Sequence, residues 1–222
     1  MSQYALSLAL PAIFAEGNYA ISASNAEAHQ WVSTWPSWPA HALFLSGPEA
    51  SGKSHLGYIW MRRANAQAIN ASALESGAIA AMGRQNWLVE NLEELADQEA
   101  LLHLFNLTRE EKHFLLLTSK LTAQQLALTL PDLSSRLLAL PAAAIHDADD
   151  EMVVAILRKQ FADRQLKVEN DIIQYLLPRI DRSYIKINEL IASLDHAALS
   201  QRKKLTIPFV RDFLSLPPVP TA

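Results

Sequence analysis

Eight consecutive residues, Gly47-Pro48-Glu49-Ala50-Ser51-Gly52-Lys53-Ser54, have the types and spacing that hold a chain of phosphates, matching G-x-x-x-x-G-K-[ST] at every specified position. Two glycines let the backbone curl so that successive N–H groups face phosphate oxygens, and a helix starting at Lys53 aims its positive end at the same place. In such a cradle Lys53 reaches the β- and γ-phosphates and Ser54 holds Mg²⁺. The implied ligand is a nucleoside di- or triphosphate. The whole chain has only six glycines, so two at this spacing weigh more than they would in a glycine-rich protein. A turn that used glycine for geometry alone would not require lysine and then serine at the helix start.

Hydrolysis needs an acid at a neighbouring strand end to order magnesium, and a carboxylate beside it to polarise the attacking water. The run Trp87-Leu88-Val89-Glu90-Asn91 offers Glu90 as the magnesium acid, although a solvated strand end accounts for it nearly as well. Asn91 stands where the base is expected, and an amide cannot accept the proton. Intrinsic hydrolysis is therefore expected to be weak or absent, unless Glu93 or Glu94 moves in. Thr118 and Ser119 close the next apolar run, either as γ-phosphate sensors at the sheet's carboxyl edge or as caps of the following turn. Arg136 falls on a short helix further on, and spacing alone reads it as a surface arginine. His55 reads as packing in the helix after the loop, and His29, His41, His103, His113, His146 and His196 have no metal-ligand spacing.

These residues need a scaffold, and the apolar pattern supplies one. Short apolar runs predict strands over His41–Ser46, Gln67–Asn70, Trp87–Glu90 and His113–Thr118, with a weaker fifth around Ala143–His146. Helical patterns over Lys53–Asn65, Glu93–Phe105 and Asp132–Leu138 alternate with them, the signature of a parallel sheet wrapped by helices. After Asp147 only helices are read, over Asp149–Arg164, Glu169–Ile180, Tyr184–Gln201 and Pro208–Leu214. Asp147, Asp149 and Asp150 cap and charge the first of these, and Pro208 suits the first turn of the last. The expected division is a flexible N-terminal segment over 1–12, an α/β nucleotide-binding domain over 13–146, a helical domain over 147–216 and a frayed tail over 217–222. Trp35-Pro36-Ser37-Trp38-Pro39 is expected to break regular structure and lay its tryptophans over the sheet edge.

Half of the 222 residues are hydrophobic, enough for a substantial core, and no run of about 18 apolar residues predicts a membrane span. The absence of cysteine and of a signal-peptide pattern leads to a cytoplasmic expectation. Net charge is −4, with a pI near 6.0. That balance argues against strong direct DNA binding, for which a pI above about 9 is usual. The one dense basic cluster, Arg202-Lys203-Lys204, lies where cations suit the negative end of a helix.

Taken together, these residues resemble the DnaA-related AAA+ proteins, and within them the short Hda-type regulators that inactivate the replication initiator. The resemblance spans nearly the whole chain. It rests on Tyr19-Ala20-Ile21-Ser22-Ala23-Ser24-Asn25, similar to the segment near the adenine; on the phosphate loop extended by His55-Leu56; and on Pro131-Asp132-Leu133-Ser134-Ser135-Arg136-Leu137, similar to the arginine-finger box. Gln201 to Val210 is similar to the family's closing segment. The family implies an AAA+ fold, with a five-stranded parallel sheet flanked by helices and a small helical lid. It further implies a regulator that binds ADP or ATP, is tethered to the DNA-loaded polymerase sliding clamp, and presents Arg136 in trans to ATP held by the initiator DnaA. Tyr19, Ile21 and Asn25 then face the nucleotide, with Thr118 at the γ-phosphate and Arg182 or Lys186 as the basic residue of the lid. Gln3, Leu6 and Leu8 match the clamp-binding pattern Q-x-x-L-x-L. Which nucleotide is the working ligand, and whether the protein forms a homo-oligomer, stay open.

Two other functions fit the same residues. A self-contained P-loop ATPase or small-molecule kinase would turn over steadily alone. A recruiting module would keep its activity after Lys53→Ala.

Overall fold

The computed structural model describes residues 16–215. Five parallel strands, β1 (Ala42–Ser46), β2 (Gln67–Asn70), β3 (Trp87–Glu90), β4 (Leu115–Ser119) and β5 (Ala142–Ala144), form one sheet in the order β2-β3-β4-β1-β5. The two central strands, Ala42-Leu43-Phe44-Leu45-Ser46 and Leu115-Leu116-Leu117-Thr118-Ser119, are buried at every residue, as strands covered on both faces must be. Their apolar residues therefore run continuously instead of alternating.

Helices α1 (Ala26–Ser33), α2 (Lys53–Ala64), α3 (Gln98–Glu110) and α4 (Pro131–Leu138) accompany the sheet. Helix α2 approaches it closely at Gly57, where an added Cβ would lie 3.1 Å from Leu88 Cδ2. A separate cluster of Leu101, Leu104, Phe105, Leu133 and Leu137 joins α3 and α4 to the strands. The helix expected over Glu93–Phe105 starts later and ends later. Asn91 turns left-handed, Leu92–Glu94 forms one 3-10 turn, and Asp97 then caps α3 by accepting from Ala100 N at 2.9 Å. Trp38 stacks on Trp60 of α2 with centroids 5.6 Å apart, and both Trp35 and Trp38 meet edge-on Phe114, which leads into central strand β4.

The described residues divide into two compact units. One contains 16–19, 27–47 and 52–145, and the other contains 20–26, 48–51 and 146–215. The second unit holds α5 (Asp150–Asp163), α6 (Asn170–Leu176), α7 (Tyr184–Gln201) and α8 (Ile207–Ser215), packed around Leu157, Phe161, Ile172, Leu176, Ile187, Ile191 and Leu194. The expected helix to Ile180 stops at Leu176, because Pro178 has no N–H to continue it and a 3-10 turn takes over. Among the described residues no helix is long and apolar enough to cross a membrane.

Candidate phosphate-loop site

Strand β1 ends at Ser46 and α2 begins at Lys53, so the loop between them is fixed at both ends by buried structure. Its backbone curls through two residues in the left-handed region, Ala50 at φ 62° and Gly52 at φ 94°. Glycine is suited to the second: besides the angle, a Cβ there would meet Tyr19 Cε2 at 3.3 Å. Between them, Ser51 buries a hydroxyl oxygen that has no hydrogen-bond partner among the described residues. Lys53 is 8% exposed, and its ammonium donates to Gly47 O at 2.8 Å across the mouth of the loop.

Tyr19 packs beside this loop. Its ring meets His55 edge-on at 5.1 Å and stacks on His29 at 6.0 Å. Burial and the neighbouring Arg63 guanidinium lower the pKa of His29, so it is neutral near pH 7 and stacks without a charge. The structure thus brings Tyr19, Gly52, Lys53 and His55 together.

The carboxyl ends of β3 and β4 come next to the loop through the sheet. Gly47 N donates to Ser119 O at 3.2 Å, and Ser46 sits opposite Ser119 in register. Glu90 accepts from the Tyr58 hydroxyl at 3.2 Å. Burial first, and then the charge of Glu90, push the Tyr58 pKa up to about 12. Glu93 turns toward β4 instead, where one carboxylate oxygen accepts from Ser119 Oγ at 2.9 Å and from Lys120 N at 3.0 Å. Ser119 Oγ also accepts from Leu121 N at 3.0 Å, so it caps the turn after the strand. Thr118 is buried at the end of the same strand.

On α4, Arg136 is held by Asp132 one turn earlier. Nε donates to Oδ1 at 2.8 Å and Nη2 to Oδ2 at 3.1 Å, a two-point grip that fixes the plane of the guanidinium. The group also lies 5.8 Å from the centre of the Phe105 ring.

In the second unit, segment 20–26 is woven from its own polar side chains. Asn25, 1% exposed, accepts from Ser22 N at 2.9 Å and donates to Ala20 O at 2.9 Å. Ile21 is instead 53% exposed. Arg182 pairs with Asp150 at 2.7 Å, and its buried Nη1 has no partner among the described residues. Lys186 pairs with Asp181 at 2.6 Å. Gln3, Leu6 and Leu8 lie outside the described residues. Among those described, no group of three or more acidic or histidine side chains is placed to hold a metal alone.

Sequence reasoning passed over Asp132 and Phe105 as partners of Arg136, and Tyr58 as the partner of Glu90. The first had a readable signal, since Asp132 and Arg136 are spaced i, i+4 on a helix. The second is a tertiary contact with none.

Residues 149–214 match the family model described as Hda, lid domain. The fold is similar to domain III of the replication initiation protein DnaA from Thermotoga maritima, with a TM-score of 0.74 at 16% identity, covering 92% of this chain and 98% of that one. It is also similar to AMPPCP-bound DnaA from Aquifex aeolicus (TM-score 0.67, 17% identity, 83% of this chain and 66% of that one). The Holliday junction branch migration motor RuvB of Thermotoga maritima is a further match (TM-score 0.61, 14% identity, 78% and 60%).

Proposed function

We propose, on the premise that the chain is a DnaA-related AAA+ protein ending in an Hda-type lid, that it is a nucleotide-binding negative regulator of replication initiation. It binds ADP or ATP at its phosphate loop and, tethered to the DNA-loaded sliding clamp, stimulates ATP hydrolysis by the initiator DnaA. The residues suit a nucleotide. The buried, unpartnered hydroxyl of Ser51 suits a polar ligand group, Gly52 leaves the backbone open, and Lys53 keeps its cation at the loop's mouth. Gly47 to Gly52 would hold the phosphates, Ser54 and Glu90 the magnesium, and Tyr19 and Ile21 the base side, with Arg182 or Lys186 contributing from the helical unit; Asn25, buried and bonded to Ser22 N and Ala20 O, shapes its own segment and does not face a ligand. Bound magnesium nucleotide supplies concentrated charge that these groups can read as a state. His55 helps by packing Tyr19 against the loop.

One observation carries the trans-acting half of the proposal: the two-point hold of Asp132 on Arg136. A guanidinium already fixed in plane loses little freedom when it engages another protein's phosphoryl group. The chain's own hydrolytic edge is poorly equipped by contrast, since Asn91 cannot act as a base and Glu93 is tied to Ser119 and Lys120.

The test is reconstitution. Purified protein should bind ADP, hydrolyse ATP negligibly by itself, and accelerate hydrolysis by DnaA only when clamp is loaded on DNA. Changing Gln3, Leu6 and Leu8 to Ala should abolish clamp pull-down and the stimulation together. Steady turnover by the isolated protein would instead favour a self-contained ATPase or kinase, and full stimulation by Lys53→Ala would favour a recruiting module.

A further inference from the structure

The helical unit carries a groove of about 1080 Å³, lined entirely from within residues 158–208. Two helix endings set the turns that wall it. Helix α5 stops where Gln165 turns left-handed at φ 58°, with Leu166 N donating to Phe161 O at 2.8 Å and Gln165 N to Ala162 O at 2.9 Å. Helix α7 stops in the same way at Arg202, φ 50°, with Lys203 N donating to Ala198 O at 3.0 Å and Arg202 N to Leu199 O at 3.1 Å. Each ending has both reversed hydrogen bonds of a Schellman closure, which fix the direction of the chain that follows. Neither left-handed residue is a glycine, so both turns are held against a local backbone preference.

The floor of the groove is apolar. Phe161 and Leu205 are 2% and 7% exposed, and Leu166, Val168 and Ile207 line it half-buried. The rim is cationic: Arg158, Lys167, Lys203 and Lys204 are all exposed, against the two carboxylates of Glu169 and Asp171. None of the three lysines is ion-paired among the described residues, and Arg158 donates to the neutral amide oxygen of Asn170 at 3.0 Å. On a chain of net charge −4, four cations are thus gathered round one apolar floor. Their mutual repulsion is relieved by an anionic partner.

We infer that this groove docks an acidic amphipathic helix of a partner protein, with the helix's apolar side chains on Leu166, Val168 and Ile207 and its Asp or Glu side chains against Lys167, Lys203 and Lys204. The volume exceeds the roughly 300–1,000 Å³ of small-molecule sites. The walls are helices and turns without a strand edge, so an added strand has nothing to pair with, whereas a helix can lie in such a groove by anchors at i, i+3 and i+4. A nucleic-acid strand would need open rings on which to stack its bases, and Phe161 is buried. Docking here needs no nucleotide at the phosphate loop.

The test is selection from a display library of peptides of about 14 residues, a length at which a helix is marginal until it binds. The bait is the full chain, with counter-selection on the doubly reversed Lys203→Glu/Lys204→Glu chain. Enriched peptides should carry Leu or Phe at helical spacing with Asp and Glu beside them. The best of them, labelled with fluorescein, should bind wild type at least about tenfold more tightly than the reversed chain at low salt, and the ratio should shrink as salt is raised. Lys203→Gln/Lys204→Gln should fall between the two. Val168→Ser, which removes apolar area and no charge, should weaken the peptide about fivefold at every salt concentration. Thermal unfolding of the same samples shows that each variant is folded. No enrichment over the counter-selection, or enrichment of basic peptides, would overturn the inference. So would displacement by single-stranded oligothymidylate with Val168→Ser indifferent, which would make the cluster a general anion patch. Displacement by a synthetic copy of residues 216–222 would make the chain's own tail the occupant, and a dimer in light scattering that the reversed lysines dissociate would make it a second copy; either result overturns the inference.

Discussion

The phosphate loop is joined to the carboxyl end of β4 by a backbone hydrogen bond, and β3 lies on the far side of β4, yet the loop and these strand ends are equipped to very different degrees. The loop has every group its motif requires: two glycines, a cation 8% exposed, and a serine at the start of the helix. At the strand ends, the groups that would do chemistry are engaged elsewhere. Glu90 holds a tyrosine, Glu93 holds a serine and a backbone amide, and the residue between β3 and its following turn is an asparagine in a left-handed conformation. The contrast teaches that holding and hydrolysing are separable properties of one sheet edge. Arg136 lies apart from both, on α4 in the grip of Asp132.

The largest effect expected from breaking this division is at Arg136. Arg136→Ala should lower the chain's stimulation of ATP hydrolysis by DnaA by about 10³-fold or more, the scale of an arginine finger, and leave ADP binding by the chain itself unchanged. Arg136→Lys should rescue little, because an ammonium cannot reproduce the planar two-point geometry. Equal losses of stimulation and of ADP binding would mean that Arg136 serves the fold instead. Next in size is Lys53→Ala, expected to weaken ADP by about 100-fold in calorimetry, as loss of a desolvated cation beside phosphate should. It should also weaken inorganic triphosphate, which has the charge but no base.

Much of this was legible in the sequence, and the boundary of legibility has a physical cause. Strands β2 and β3 and helix α7 have the expected ranges; β3 is buried over its first three residues and so leaves a local imprint, whereas edge strand β2 is exposed or half-buried along its length. The start of α3 was misjudged because Glu93 and Glu94 look like first-turn acids, whereas the cap that sets the helix is Asp97. The phosphate loop was legible because its chemistry is local. The tie between Ser24 and Asp149 spans 125 positions, and no window of sequence contains both ends. Asp149 could be read as a cap for α5, but its second oxygen had no visible task. Its pKa reflects both: burial pushes the carboxyl up, and hydrogen bonds from Met152, Ser22 and Ser24 outweigh it and hold it below the ordinary carboxylate value.

A smaller effect tests the hydrolytic side. Asn91→Asp installs a carboxylate where water activation is expected, and the left-handed backbone there tolerates aspartate. Intrinsic ATP hydrolysis should rise by about tenfold at most, well below the 10²- to 10⁴-fold of a well-placed base, because Glu93 and Ser119 remain engaged with each other. Phosphate release by the isolated protein measures it. A rise as large as that of a dedicated base would mean that the edge lacks one atom only, and the contrast with the loop would shrink to a single residue.

The smallest and sharpest test concerns what Glu90 is for. Tyr58→Phe removes the donor from Glu90 Oε2 and should strengthen magnesium-dependent ADP binding by about fivefold if that carboxylate serves the metal, this half-buried hydrogen bond to a carboxylate being worth about 1 kcal/mol. An unchanged affinity would return Glu90 to the role of a tyrosine partner. The same pair has a signature in alkali. The folded Tyr58 pKa is raised from 10.0 to about 12, by burial first and the Glu90 charge second, so the folded state retains a proton that the unfolded state gives up. The stability this contributes is complete below pH 10 and is lost as pH rises toward about 12. Between those values wild type should lose thermal stability more steeply than Tyr58→Phe, while the Tyr58 phenolate absorbance stays absent until the upper end of the range. Parallel stability curves would mean that Glu90 does not hold the phenol in solution, leaving the carboxylate free for magnesium and making the strand end more like the loop than the structure makes it.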